Sequence, residues 1–147
     1  RADVAELFSL VNDRYALMCV QHDHRPEENV KMDGQVQTRY RRKNWSSLML
    51  WNCDHPGNER LTPELVNGLP GRDLHRFCWL EDREIGALPG AWNWLEGISD
   101  PAVDPKAVHF TRGGPWHEGF EDVRYADEWR SELRSVVDAE RSLCQTT

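Results

Sequence analysis

No apolar run in this 147-residue chain approaches the roughly 20 residues that a membrane-spanning helix requires. No secretory leader is read either, so the expectation is a cytoplasmic protein with no membrane span. A surplus of positive charge is also missing: 18 lysines and arginines face 25 aspartates and glutamates, for a formal net charge of −7. That balance argues against broad electrostatic binding of nucleic acid, which rests on cationic contacts to phosphate. The basic run Arg39-Tyr40-Arg41-Arg42-Lys43 is local and reads as a solvated loop, with contact to an anionic substrate as the alternative. The four cysteines, Cys19, Cys53, Cys78 and Cys144, include no C-x-x-C pair, so reduced thiols in apolar runs are expected rather than a disulfide frame or zinc site. P-loop, G-x-G-x-x-G and Ser-His-Asp arrangements are absent, which leaves kinase and hydrolase readings without local support. Neither repeats nor a linker divide the chain, so residues 1–147 read as one domain.

The elements alternate. Asp3 caps a short helix whose Val4, Leu7, Phe8 and Val11 share a face. Residues 15–21 and 46–53 read as buried strands, joined by a long polar connection, 22–42, of the kind that is usually functional. Thr62-Pro63-Glu64 starts a helix with a hydroxyl cap, proline in the first turn and a dipole-favoured acid. Another short helix covers 72–77, and a further one begins near Glu81 and stops before Pro89. Residues 107–110 give a third strand. Asp127 caps a last amphipathic helix that turns Trp129, Leu133, Val136 and Val137 toward the body. Strands interleaved with helices predict an α/β fold, an incomplete mixed sheet flanked by helices.

Chemistry concentrates in His109-Phe110-Thr111-Arg112-Gly113-Gly114-Pro115-Trp116, where a strand end delivers an imidazole into a turn with two adjacent glycines. Such a histidine suits a metal or phosphate; the alternative is a buried histidine before an ordinary loop. His22-Asp23-His24 invites a similar reading, because residues two apart on an extended chain point the same way. The bland alternative there is a polar loop after a strand. Of the seven tryptophans most are structural, and one or two line a pocket where their faces stack on sugar rings or bases.

The segment 109–116 resembles the C-terminal His-x-x-Gly-x-x-Lys-Pro-Trp signature of GT-A-fold glycosyltransferases of the glycogenin and lipopolysaccharide galactosyltransferase type. The spacing is one residue shorter, and Gly114 stands in place of the phosphate-binding lysine, with Arg112 as a neighbouring source of positive charge. The resemblance implies that His109 is the third ligand of a Mn²⁺ or Mg²⁺ otherwise held by an Asp-x-Asp motif, and that Arg112, Gly113, Gly114 and Trp116 lie against a nucleotide-sugar diphosphate.

Further segments match in order. Asn44-Trp45-Ser46-Ser47-Leu48-Met49-Leu50-Trp51-Asn52 is similar to the family's Asn-(Ala/Ser)-Gly-Val-x-Leu-x-Asn strand, which implies that Trp45, Ser46 and Ser47 meet the donor sugar. Glu81-Asp82-Arg83-Glu84-Ile85-Gly86, with Leu88-Pro89 and Trp92-Asn93-Trp94 after it, resembles the Asp-Gln-Asp-x-Leu-Asn helix and Leu-Pro-x-x-(Trp/Tyr)-Asn turn. The implied role of Asp82, with Glu81 second, is to accept hydrogen bonds from the transferred hexose. Arg1 to Phe8 resemble the segment that follows Asp-x-Asp, so the chain is expected to be the C-terminal, acceptor-side portion of a GT-A domain, lacking the nucleotide-binding half.

The resulting expectation is transfer of a hexose from a nucleotide sugar to a glycan or other acceptor, with a divalent cation and no nucleic acid. Two alternatives stand beside it: a non-catalytic, degenerate carbohydrate-binding module, and a small metal-dependent hydrolase using His22, His24 and His109. Self-association through an exposed strand edge is expected for such a partial domain.

Overall fold

The computed structural model describes residues 1–24 and 40–144. The expected long connection lies outside the described residues from 25 to 39, and Arg39 of the basic run lies there with it.

The strand expected at 15–21 forms its centre only, β1 (Leu17–Cys19), buried along its whole length. β2 (Met49–Trp51) pairs with it antiparallel, placing Leu17 opposite Trp51 and Cys19 opposite Met49. On its other side β3 (Ile85–Ala87) pairs parallel, with Leu17 opposite Ile85 and Met18 opposite Gly86. The order β2-β1-β3 makes a small mixed sheet, and a parallel pair, β4 (Trp94–Leu95) and β5 (Val108–His109), stands as a second one. The chain is therefore α/β.

The period of two along β1 divides the core. Leu17 and Cys19 face a cluster with Phe77, Trp79, Leu80 and Ile85. Met18 and Val20 face another with Leu7, Leu50, Leu88 and Trp92. A continuously apolar strand is what a position covered on both faces demands.

Short helices decorate this core. In α1 (Val4–Phe8), Asp3 caps the first turn by accepting from the Ala5 amide. Only Leu7 of its expected apolar face is buried; Val4, Phe8 and Val11 remain exposed, because one turn of helix reaches the sheet with a single side chain. Thr62 caps α2 (Pro63–Gly68) as expected, and α3 (Gly71–His75) follows it.

Three expectations are corrected. The helix from Glu81 to Pro89 is a single 3-10 turn, Asp82–Glu84, that runs straight into β3. Pairing decides this: the Glu84 carbonyl accepts from the Ala16 amide at 2.9 Å and the Cys19 carbonyl from the Leu88 amide at 2.9 Å, drawing the segment onto β1. Ser46 and Ser47 lie in a 3-10 turn, Trp45–Ser47, ahead of β2 rather than within it. In α4 (Ala126–Cys144), Asp127 belongs to the first turn instead of capping it. Leu133 and Val136 are exposed by 46% and 56%, while Trp129 and Val137 are half-buried, so the amphipathic stripe turns inward only in part. Cys19 is a buried thiol as expected, whereas Cys53 and Cys78 are exposed.

Candidate functional site

Distant segments are tied together just beyond the end of β1. Asn93, in the turn between β3 and β4, is 2% exposed. Its amide nitrogen donates to the Ser47 hydroxyl at 2.8 Å and to the Asn44 carbonyl at 3.2 Å. Ser47 in turn donates to the same carbonyl at 2.6 Å. Asn44 adopts a left-handed conformation, φ 65°, which asparagine tolerates better than most residues. That conformation accompanies a hydrogen bond from its side chain to the Thr111 hydroxyl at 3.1 Å, two residues past β5. Trp45 closes the circle through its indole N–H, which donates to the His22 carbonyl at 2.8 Å.

Beside this network lies an open cleft of about 520 Å³, lined by residues 21–24 and 40–43 together with Trp45 and Asp82. Asp82 is exposed and ion-paired with Arg41 and Arg42, the latter at 2.6 Å. The Arg42 hydrogen bond is the foremost cause holding its carboxyl below the usual range, so Asp82 is an anion and a poor base. Arg42 is not a solvated side chain: it also donates to the carbonyls of Arg76 at 2.6 Å and Phe77 at 3.0 Å. The basic run thus anchors the approach to β3, with Arg41 left more exposed at the cleft.

Two imidazoles form the second feature. His22 Nε2 and His109 Nδ1 are buried nitrogens without a hydrogen-bond partner. Burial, and next the charges of His109 and His24, push the His22 pKa from 6.5 down to about 4, while a hydrogen bond to the Asn93 backbone pulls the other way. With Nε2 unpartnered, that hydrogen bond falls to Nδ1. Burial also lowers the pKa of His109. Both rings are therefore neutral at physiological pH, the form that binds metals. Among the described residues no group of three or more His, Cys, Asp or Glu side chains is arranged to hold a metal, so the three-histidine hydrolase centre of His22, His24 and His109 is not formed.

The remaining sequence candidates take varied positions. Ser46 pairs with His75 Nδ1 at 2.8 Å, and Ser47 is committed to the Asn44–Asn93 network. Glu81 is exposed, pairs with Arg83 at 3.1 Å and does not line the cleft. Arg112 reaches the buried carboxylate of Glu96 at 3.5 Å, which balances its charge. A Cβ on Gly113 would lie 2.8 Å from the Phe120 ring, and one on Gly114 would meet the Trp116 ring, so aromatic packing fixes both glycines. Trp116 remains 54% exposed while contacting Trp129, ring centroids 4.9 Å apart. Sequence reasoning missed Asn93 and Thr111 as cross-links; the Trp92-Asn93 turn was visible as a motif, but not its partners.

Comparison with curated proteins finds a relative of this chain. The chain is 56% identical over 137 residues to Protein CDI of Arabidopsis thaliana. The alignment covers 90% of this chain and 53% of that protein, so the chain spans about half the length of the relative. No family model matches, and no solved structure matches.

Proposed function

We propose that this chain is the acceptor-side portion of a cytoplasmic, metal-dependent glycosyltransferase that transfers a hexose from a nucleotide sugar to a glycan or other acceptor. One observation carries the reading: three segments that resemble the family separately, around Asn44, Asn93 and Thr111, are joined by direct hydrogen bonds. A shared site is a reason for such distant segments to meet.

His109 fits a Mn²⁺ or Mg²⁺ ligand because its buried Nδ1 has no other partner and its ring is neutral. The cation, when bound, offsets negative charge on the departing diphosphate. The chain's own residues position the substrates. Asp82 offers carboxylate oxygens to sugar hydroxyls from the cleft wall, and Arg41 beside it balances that charge. Trp45 and Tyr40 add aromatic surface to the same cleft. Ser47 acts through Asn44 rather than by touching the sugar.

Turnover with a panel of nucleotide sugars in Mn²⁺ tests the reading. His109→Ala should abolish metal-dependent transfer with an unchanged circular dichroism spectrum, and Asp82→Asn should lower transfer while leaving nucleotide affinity intact. Full activity of His109→Ala at saturating Mn²⁺ refutes the assignment.

A second reading, a non-catalytic carbohydrate-binding module, is favoured by a hollow of about 300 Å³ lined by Phe110, Tyr125, Trp129, Glu128 and Glu132. Aromatic faces beside carboxylates suit sugar rings and their hydroxyls. Glycan binding without transfer of any nucleotide sugar would select it.

A further inference from the structure

The first turns of α4 form one wall of the hollow of about 300 Å³, which shares no residue with the cleft beyond β1. Phe110, Tyr125 and Trp129 give this hollow three aromatic rings, and Glu128 and Glu132 give it two carboxylates. Trp116 backs two of the rings, standing perpendicular to Phe110 at 5.8 Å and packing on Trp129 at 4.9 Å between centroids. The aromatic lining is thus held in place before anything enters it.

The chain itself shows which chemistry this lining accepts. Arg1, on the rim of the same hollow, sets its guanidinium 4.4 Å from the Tyr125 ring centroid and donates to both carboxylate oxygens of Glu128 at 2.8 Å. Asp104 accepts from it at 2.9 Å, so the one cation of the lining already meets two anions. Glu132 is left over. Asp127 and Asp138 pair with Arg130 and Arg141 three residues on along α4, but the helical neighbours of Glu132 are Glu128, Trp129, Ser135 and Val136, none of them cationic. Among the described residues no hydrogen bond or ion pair reaches its carboxylate. With Arg1 against Glu128 and Glu132, the lining carries a surplus of one negative charge.

We propose that this hollow binds a small organic cation, an alkylated ammonium or guanidinium, with its charge against Glu132 and its alkyl groups on Phe110 and Trp129. The face of an aromatic ring attracts a cation within about 6 Å, tryptophan most strongly, and the attraction grows as water is excluded. A sugar satisfies the same carboxylate with hydroxyl donors but leaves its charge in place. Size points the same way: about 300 Å³ lies at the lower end for small-ligand sites and suits one head group rather than a helix of another protein. The site stands whether or not the cleft transfers sugar.

Calorimetric titration of the full chain with tetramethylammonium chloride and with methylguanidinium chloride, at fixed ionic strength, is the test. At least one of the two should bind saturably, one per chain, and which of them binds identifies the head group. Their uncharged counterparts, tert-butanol and methylurea, should bind at least about tenfold more weakly. Glu132→Gln removes a charge and no contact, and should weaken the cation at least about tenfold. Glu140→Gln, two turns further along α4, should bind as the unmodified chain does. In the unmodified chain the Trp129 indole N–H resonance should move in step with the heat, a readout that needs no variant. No saturable heat at about 10 mM of either cation overturns the site. So does equal binding of the uncharged counterparts, or unchanged affinity in Glu132→Gln. Saturable binding of an oligosaccharide with no response to either cation also overturns it, and selects the carbohydrate-binding module.

Discussion

Removing the Asn93 side chain should be among the most damaging small changes available to this fold. Asn93→Ala deletes two donated hydrogen bonds, to Ser47 and to the Asn44 carbonyl, in a position 2% exposed. Each contributes about 1 kcal/mol net, and because Ser47 is exposed and Asn44 half-buried, water can reach the acceptors that lose their donor. The Asn44 carbonyl keeps the Ser47 hydroxyl, which limits the loss. The expected total is about 2 kcal/mol, a fall in Tm of about 4–8 °C for a chain of this size. Urea denaturation followed by tryptophan fluorescence measures it. Asn93→Asp should cost more at neutral pH, since a carboxylate would face a carbonyl where an N–H donor stood. A double-mutant cycle with Ser47→Ala should show coupling, because the two side chains touch. A loss below about 0.5 kcal/mol, or strict additivity with Ser47→Ala, would refute the network as the tie between these segments.

Thiol reactivity should separate the cysteines: Cys53 and Cys78 label rapidly in the native chain, while Cys19, buried and pushed up to about pKa 12, labels only on unfolding, as peptide mapping would show. Acid should destabilise the metal-free chain through His22, whose folded pKa of about 4 lies below the usual 6.5. Its contribution is fully present above about pH 6.5 and is lost as the pH falls toward 4, so the urea midpoint of His22→Gln should decline less over that interval. Gly86→Ala should destabilise by about 1–3 kcal/mol, since a Cβ in β3 would stand 2.5 Å from the Tyr15 ring and 2.8 Å from Met18; thermal denaturation checks it.

Much of the local structure was legible because its causes act within a few residues. Asp3 and Thr62 cap their helices as side chains that reach their own first turns. The apolar centres of 15–21 and 46–53 became β1 and β2, and the strand end at His109 is where the Gly-Gly turn placed it. The same local rules misread 81–88, where a helical start gave way to β3 because hydrogen bonds from β1 outweigh propensity. They also placed Leu133 and Val136 inside, since a periodic stripe records a face but not whether anything covers it.

The candidate site divides along the same line. Its residue types, the imidazoles of His22 and His109, the carboxylate of Asp82 and the asparagines at 44 and 93, were set by the sequence. Only the tertiary structure decided that Arg41 and Arg42 neutralise Asp82, that Ser47 serves Asn93 instead of facing solvent alone, and that His22 Nε2 and His109 Nδ1 are buried without a partner. Caps and turns are settled by neighbours in the chain. Burial, ion pairing and the fate of a lone pair depend on residues brought near by folding.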